Sequence, residues 1–153
     1  MSVLDDLVDW TPQGAVIELS ELSCWHLLRE VSFGRLAVVV DGRPDVFPID
    51  FAVEERTILF RTAEGSKLRG LTADSHVALE ADSRDEQAVW SVVVRGEAAP
   101  VDHERTAARA AKSPLPEWIP TAGYTYVRIT PTSVRGRSFQ RHLKDDRSPG
   151  SPR

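Results

Sequence analysis

The sequence predicts a mainly β protein: an antiparallel barrel of about six short strands, with a few short helices at its periphery. Three observations predict it. The first is "GRLAVVV", then Asp41-Gly42, then "RPDVFPIDFAVEE". These are two β-patterned runs joined by a pair that tolerates the positive φ values of a type I′ turn. The second is the recurrence of alternating, β-branched segments along the chain. The third is the weakness of the helical patterns, which are too poorly amphipathic to cover an open sheet, so the strands must close on one another to remove their edges.

In chain order, residues 1–17 show no sustained period and are expected to be weakly ordered. "LSELSCWHLLREVSFG" places Leu19, Leu22, Trp25 or His26, and Leu28 or Arg29 on one stripe that stops at Gly34, which predicts a short helix. Alternation at Phe47, Ile49, Phe51 and Val53 carries the hairpin's second strand, and "TILFRT" gives a third after a turn at Glu54-Glu55-Arg56. "SKLRGLTAD" is a short helix at most. "HVALEAD" alternates Val77, Leu79 and Ala81 against His76, Ala78, Glu80 and Asp82. Beyond the polar loop "SRDEQ", "AVWSVVVRGEAAPV" is a long β-branched run, so both read as strands. "DHERTAARAAKS", with Asp102 as N-cap and Pro114 as its stop, reads as a surface helix. "YTYVRIT" is a sixth strand, and "TSVRGRSF" extends it or pairs with it. These elements form one domain over residues 18–139. The segment 140–153 is expected to be a basic, disordered tail.

Composition bounds the function. At 153 residues with 41% hydrophobic content the chain can bury one real core. Its net charge of −4 hides an asymmetry: residues 1–134 hold 13 Lys and Arg against 21 Asp and Glu, while 135–153 hold 6 against 2. An acidic body excludes a broad nucleic-acid surface, because phosphate contacts supply most non-specific affinity. No apolar run approaches the roughly 20 residues of a membrane span, and "MSVLDDLVDW" carries acid where a signal peptide needs base, so a cytoplasmic location is expected. Cys24 stands alone and is expected to be a buried structural thiol. His26, His76, His103 and His142 show no ligand spacing, so no metal is expected.

The stretch "FRTAEGSKLRGL" carries the clearest candidate site. A Gly-Ser pair opening a helix presents free backbone N–H groups; Ser66 can cap it, Gly65 permits the bend, and Arg61, Thr62 and Lys67 converge there. That is either a phosphate cradle or ordinary punctuation between a strand and a helix. Pro48, inside a β-patterned run, cannot donate to a ladder. It marks an edge, a bulge, or a place where a ligand replaces a neighbouring strand. Trp90 in a strand reads most often as core or dimer packing, and Asp50 as a solvated strand residue.

The order of "GRLAVVVDGRPDVFPIDF", "ILFRTAEGSKLRGL", "VALEAD", "WSVVVRGEAAPV" and "YVRITPTSVRGRSF" resembles the FMN-binding split-barrel family related to pyridoxamine 5′-phosphate oxidase. The likeness covers residues 20–139 and is nearest to the small actinobacterial and nitroimidazole-resistance-like branch. It implies a homodimer of six-stranded antiparallel split barrels with two FMN sites at the subunit interface. It also implies roles. Phe47, Pro48, Ile49 and Asp50 would run along the isoalloxazine ring; Arg61, Thr62, Ser66 and Lys67 would hold the ribityl phosphate; Trp90 and Ser91 of the partner chain would reach over the ring. The chain lacks the Arg-x-His-x-Arg and Glu-Phe-Trp segments of true pyridoxamine phosphate oxidases, which speaks against vitamin oxidation.

The expected function is therefore a flavin-dependent oxidoreductase acting on a small-molecule redox substrate, with no nucleic-acid or membrane partner. Two alternatives share the fold. A deazaflavin would need a basic groove beyond Lys67, for which Arg43, Arg69 and the basic tail are the candidates. The other is non-enzymatic, a flavin carrier or a haem-binding split barrel, and haem would need an axial His or Cys on a strand, for which His76 is the candidate.

Overall fold

Two tight turns set the register of three strands. Asp41 and Gly42 have φ of 51° and 73°, and Glu55 and Arg56 have φ of 49° and 59°. Each link is thus a two-residue hairpin with positive φ at both central positions. Asp-Gly signals the first in the sequence. The second holds two non-glycine residues in the left-handed region, at roughly 1–2 kcal/mol each, and a clamp sits across it. Arg128 donates to Thr57 Oγ1 at 2.6 Å and to Glu54 Oε1 at 3.2 Å, while Thr57 Oγ1 donates to the Glu54 carbonyl at 2.6 Å.

The computed structural model describes residues 16–63, 71, 74–85, 88–101 and 124–140. The elements are β1 (Ile17–Leu19), α1 (Glu21–Arg29), β2 (Phe33–Val40), β3 (Arg43–Glu54), β4 (Thr57–Ala63), β5 (His76–Arg84), β6 (Ala88–Pro100) and β7 (Tyr124–Gln140). The helix expected at 102–113, the segment 1–15 and the tail from 141 lie outside the described residues, as do Gly65, Ser66 and Lys67.

The strands close as the alternation and the missing helical cover predict. β7, β4, β3, β2, β5 and β6 are hydrogen-bonded in that order, all antiparallel, and β6 pairs again with β7 to complete a six-stranded ring. β7 makes the closure possible because it is long enough to serve several neighbours. Its residues 124–129 face β4 on one edge, 136–138 face β1 on that same edge, and 127–140 face β6 on the other. The stretch 132–139 continues the same strand, and β7 ends at Gln140, the first residue of the expected tail. Pro131 is accommodated at a register shift: Arg95 pairs with Ser133 and Gly96 with Pro131, so Thr132 is the extra residue of a bulge, with its Oγ1 donating to the Arg95 carbonyl at 3.2 Å.

Alternate positions point inward to a single core. Leu36 and Val38, Ile49 and Phe51, Ile58 and Phe60, Leu79 and Ala81, Val92 and Val94, Val127 and Ile129 are all buried in it. α1 packs on β7 and β3 and adds Cys24, Trp25 and Leu28 to that core. Ser20 caps it, accepting from the Ser23 N–H at 3.1 Å. The expected stripe is corrected in three places, the first being Leu19, which lies in β1. Leu22 is 68% exposed, and the helix stops at Arg29. Gly34 is no stop signal; it lies in β2, where a Cβ would sit 2.5 Å from the Glu80 carbonyl oxygen. Its glycine is required by the close approach of β5.

Gly136 fixes how closely α1 rests on β7, since a Cβ there would lie 2.6 Å from Cys24 Sγ and 3.0 Å from Leu19 Cδ1. Gly136→Ala is expected to cost about 1–3 kcal/mol through overpacking, read as a lower urea midpoint at unchanged slope. An unchanged midpoint would show that this contact is loose. Cys24 is fully buried, and burial, followed by the Glu21 charge, pushes its thiol above the ordinary range. A chromogenic disulfide reagent should leave it unmodified in the native protein and titrate one thiol in guanidinium; rapid native labelling would refute the structural role.

Candidate functional site

The second strand of the hairpin is longer than the strand that covers it. β3 pairs with β2 from Arg43 to Asp50, but its register with β4 runs only from Glu54↔Thr57 to Phe51↔Phe60. Beyond that pair β4 continues along β7, with Arg61↔Tyr126 and Thr62↔Thr125. Asp50 and Arg61 are therefore the first residues past the end of a shared ladder, and Ile49 and Thr62 the next. The ladder's end thus leaves Asp50 and Arg61 on neighbouring strands, with Phe47, Pro48 and Ile49 running on along β3 and Thr62 along β4.

The faces of these residues follow from strand alternation. Ile49 is buried in the core and Phe47 packs against it, while Pro48 and Asp50 take the outer face. On that face Phe33 is 51% exposed and Val46 59%, and exposed Pro48 lies opposite Arg35 between them. Phe33 and Val46 thus stand on either side of Pro48 and Arg35 along this face. Thr62 is 5% exposed, the one buried polar residue among those described, and Arg61 is half-buried. Arg61 thus keeps a cation partly out of water beside an apolar face, where it interacts more strongly with an anion than a fully solvated one would.

Trp90 and Ser91 are elsewhere. Both lie on β6, which stands opposite β3 in the ring, so one chain alone does not bring them to Phe47–Asp50. Trp90 is half-buried, packs against the core, and lines a cleft of about 590 Å³ with Leu22, His26 and Ser138. Both readings of this tryptophan keep their ground, since it touches the core and is open to a partner.

Several of the remaining charges pair at the surface. Arg35 donates to Glu80 at 2.9 Å and to Asp82 at 3.0 Å, and these carboxylates hold its guanidinium pKa up. Glu80 is itself raised, first by burial and then by sharing a hydrogen bond with Asp82, in spite of the arginine. His76 is exposed, with Nδ1 2.9 Å from Asp74 and Nε2 3.5 Å from Glu97. The His76 backbone N–H, then its ring, lowers the Asp74 carboxyl. A histidine engaged on both ring nitrogens at the surface is poorly set to be an axial ligand. Among the described residues no group of three or more His, Cys, Asp or Glu could hold a metal ion, and no helix is long and apolar enough to cross a membrane.

One set of cations escapes a reading of the sequence. Arg95 on β6 and Arg135 and Arg137 on β7 share a cleft with Ser91 and Ser133. Strand alternation puts Arg135 and Arg137 on one face, but only the register Ser91↔Arg137, Val93↔Arg135 and Arg95↔Ser133 shows that β6 supplies the rest.

With this geometry in hand, a family model described as pyridoxamine 5′-phosphate oxidase matches residues 20–138. The chain belongs to the pyridoxamine 5′-phosphate oxidase family. A candidate pyridoxamine 5′-phosphate oxidase from Corynebacterium glutamicum superposes with a TM-score of 0.73 at 37% identity, over 84% of this chain and 96% of that one. An FAD-binding protein from Mycobacterium smegmatis gives 0.70 at 42% identity, over 81% and 98%. An uncharacterised protein of Mycobacterium tuberculosis is 38% identical over 96 residues, 63% of this chain and 87% of its own length. Membership of this family agrees with the mainly β, six-stranded split barrel that the sequence predicts.

Proposed function

We propose that the protein binds a flavin, FMN in the first instance, with the ring on the outer face of β2 and β3 and the phosphate at Arg61 and Thr62. A second copy of the chain covers the ring with Trp90 and Ser91, and the pair acts as a flavin-dependent oxidoreductase on a small-molecule substrate. The observation that carries this reading is the end of the β3–β4 register at Phe51↔Phe60, with Asp50 and Arg61 just beyond it. Family membership and the FAD-binding relative support a flavin in general.

The residues present fit such a group. The apolar stretch Phe33, Val46 and Pro48 suits a flat aromatic ring, the Asp50 carboxylate can accept from an imide N–H, and Arg61 offers a fixed cation to a phosphate. When bound, a flavin supplies the hydride and electron transfer itself. The work left to the chain is to orient the ring, neutralise the phosphate and exclude water, which one barrel cannot do for both faces of a ring lying on its surface. No side chain need act as acid or base. Ser66 and Lys67 remain phosphate ligands on the strength of the sequence motif. Without the Arg-x-His-x-Arg and Glu-Phe-Trp segments, a substrate other than pyridoxamine phosphate is the better expectation.

Titration of the protein with FMN, FAD and a deazaflavin, followed by absorbance, separates the cofactors by their band positions. FMN is expected to bind. Arg61→Ala and Lys67→Ala should each weaken it about ten- to hundredfold, the loss of one charge-assisted contact of roughly 1.5–3 kcal/mol. Unchanged dissociation constants in both variants would remove the phosphate assignment, and tighter deazaflavin binding would replace the cofactor.

The role of Trp90 is read from its conservative variant. The wild type is expected to sediment near twice the 17.0 kDa chain mass and to quench FMN emission. Trp90→Phe should restore emission and weaken FMN while leaving the apo melting temperature nearly unchanged. A melting temperature several degrees lower with quenching and affinity intact would make Trp90 a core residue only.

A further inference from the structure

We propose that the cleft between β6 and β7 is a second anion site, built for a diphosphate group. Three guanidiniums line it, from Arg95, Arg135 and Arg137, with the hydroxyls of Ser91 and Ser133 as further donors. The cleft encloses about 290 Å³. That is enough for two phosphoryl groups and too little for a ring system carrying its own sugar and phosphate.

These arginines differ from Arg35 and Arg128 in having no counter-charge among the described residues. Arg35 is held by two carboxylates and Arg128 by Glu54. Arg95, Arg135 and Arg137 make no side-chain ion pair or hydrogen bond among the described residues. The carboxylates nearest in register are accounted for. Asp82 and Glu80, across from Ser91 and Val93, are turned to Arg35. Glu97, two residues along β6 from Arg95, faces His76. Glu18, across β1 from Arg137, remains as one negative charge at the rim. No carboxylate is among the residues that line the cleft, so its three guanidiniums present their charge to an anion that enters it.

The backbone sets the spacing. Arg135 and Arg137 are two residues apart on one face of β7, about 7 Å along the strand, so each can grip a different phosphoryl group of one diphosphate through its planar fork. Arg95 reaches in from β6 opposite Ser133, at the bulge, closing the far end. Small residues form the floor: Ser91 and Val93 on β6 and Gly136 on β7 let the ligand sit low between the arginine stems. A single phosphate would engage only part of this row. A polynucleotide would meet the acidic body on either side.

The diphosphate can belong to a dinucleotide cofactor or to a separate phosphorylated substrate. The inference rests on the three arginines and not on the flavin reading, with which it shares only Ser91. Inorganic pyrophosphate is titrated calorimetrically at low ionic strength into the wild-type full chain, into Arg135→Gln/Arg137→Gln, and into Arg43→Gln, which removes one exposed charge at the β2–β3 turn. Pyrophosphate is expected to bind the wild type more tightly than phosphate does. The double variant should lose at least about tenfold in affinity, and Arg43→Gln should match the wild type. Backbone amide signals of Ser91, Val93 and Gly136 should shift on titration. No pyrophosphate binding by the wild type, an unchanged double variant, or an equal loss in Arg43→Gln would overturn the site. The same proteins titrated with FMN and FAD identify the source. A loss for FAD alone assigns the diphosphate to the cofactor, and a loss for neither, with pyrophosphate binding abolished, assigns it to a second ligand. Should no flavin bind the wild type at all, the flavin reading fails while the pyrophosphate titration still decides this one.

Discussion

The double pairing of β7 is the constraint on which the rest of the molecule depends. An open sheet of six strands has two edges, each a row of unsatisfied N–H and C=O groups. Here both edges meet on one 17-residue strand, β4 on one side and β6 on the other. Because β7 is longer than β4, its far end outruns β4 and leaves an edge for β1 to fill at Ile17↔Ser138 to Leu19↔Gly136. The bulge at Thr132 follows from the same demand, since a strand that serves different neighbours along its length must bend between them, and an extra residue supplies the bend.

Closure also decides which residues can meet. β3 and β6 stand across the ring from one another, so residues on their outer faces belong to opposite sides of the molecule. The Phe33–Val46–Pro48 patch and the arginine cleft are for that reason separate surfaces of one chain, and any ligand touching both must lie between two chains. Charge is laid out accordingly. The outer face passes from Arg35 on β2, through Glu80 and Asp82 on β5 and the small residues of β6, to Arg135 and Arg137 on β7. An acidic row and a basic row flank β6.

Most of the fold is legible in the sequence because period two and turn chemistry are local signals. Asp41-Gly42 announces its hairpin, and the buried positions of β2 to β6 fall on the alternation of apolar residues. What escapes is what depends on partners distant in the chain. Gly34 reads as a helix stop only while β5 is out of sight; the Glu80 carbonyl beside it gives the true reason for a glycine. Ile17–Leu19 is too short to show a period, and it becomes a strand through the free edge of β7. Arg135 and Arg137 can be put on a strand from the sequence, but their neighbours Val93 and Ser91 are known only once β6 lies beside them. The candidate site is legible to the same degree: the segment at Phe47–Asp50 and the pair Arg61-Thr62 can be named from motif and resemblance, but their convergence needs the register.

That convergence has a mechanical origin in the lengths of the strands. β3 has 12 residues and β4 has 7. With Glu54 opposite Thr57, the register would bring Ala63, the last residue of β4, level with Pro48 even if the pairing ran on. Residues 43–47 of β3 therefore project past any cover β4 could give, whatever the local geometry. The Glu55-Arg56 turn fixes this offset, since one residue more or less in the loop would slide every pair and turn the inward face of β4 outward. Two left-handed non-glycine residues are an unfavourable way to make so short a link, and the Arg128–Thr57–Glu54 clamp is placed to offset part of that cost. Arg128 itself comes from β7. The strand that closes the barrel thus also holds the turn that sets β3 and β4 out of step, and their mismatch opens the ground beside Asp50 and Arg61.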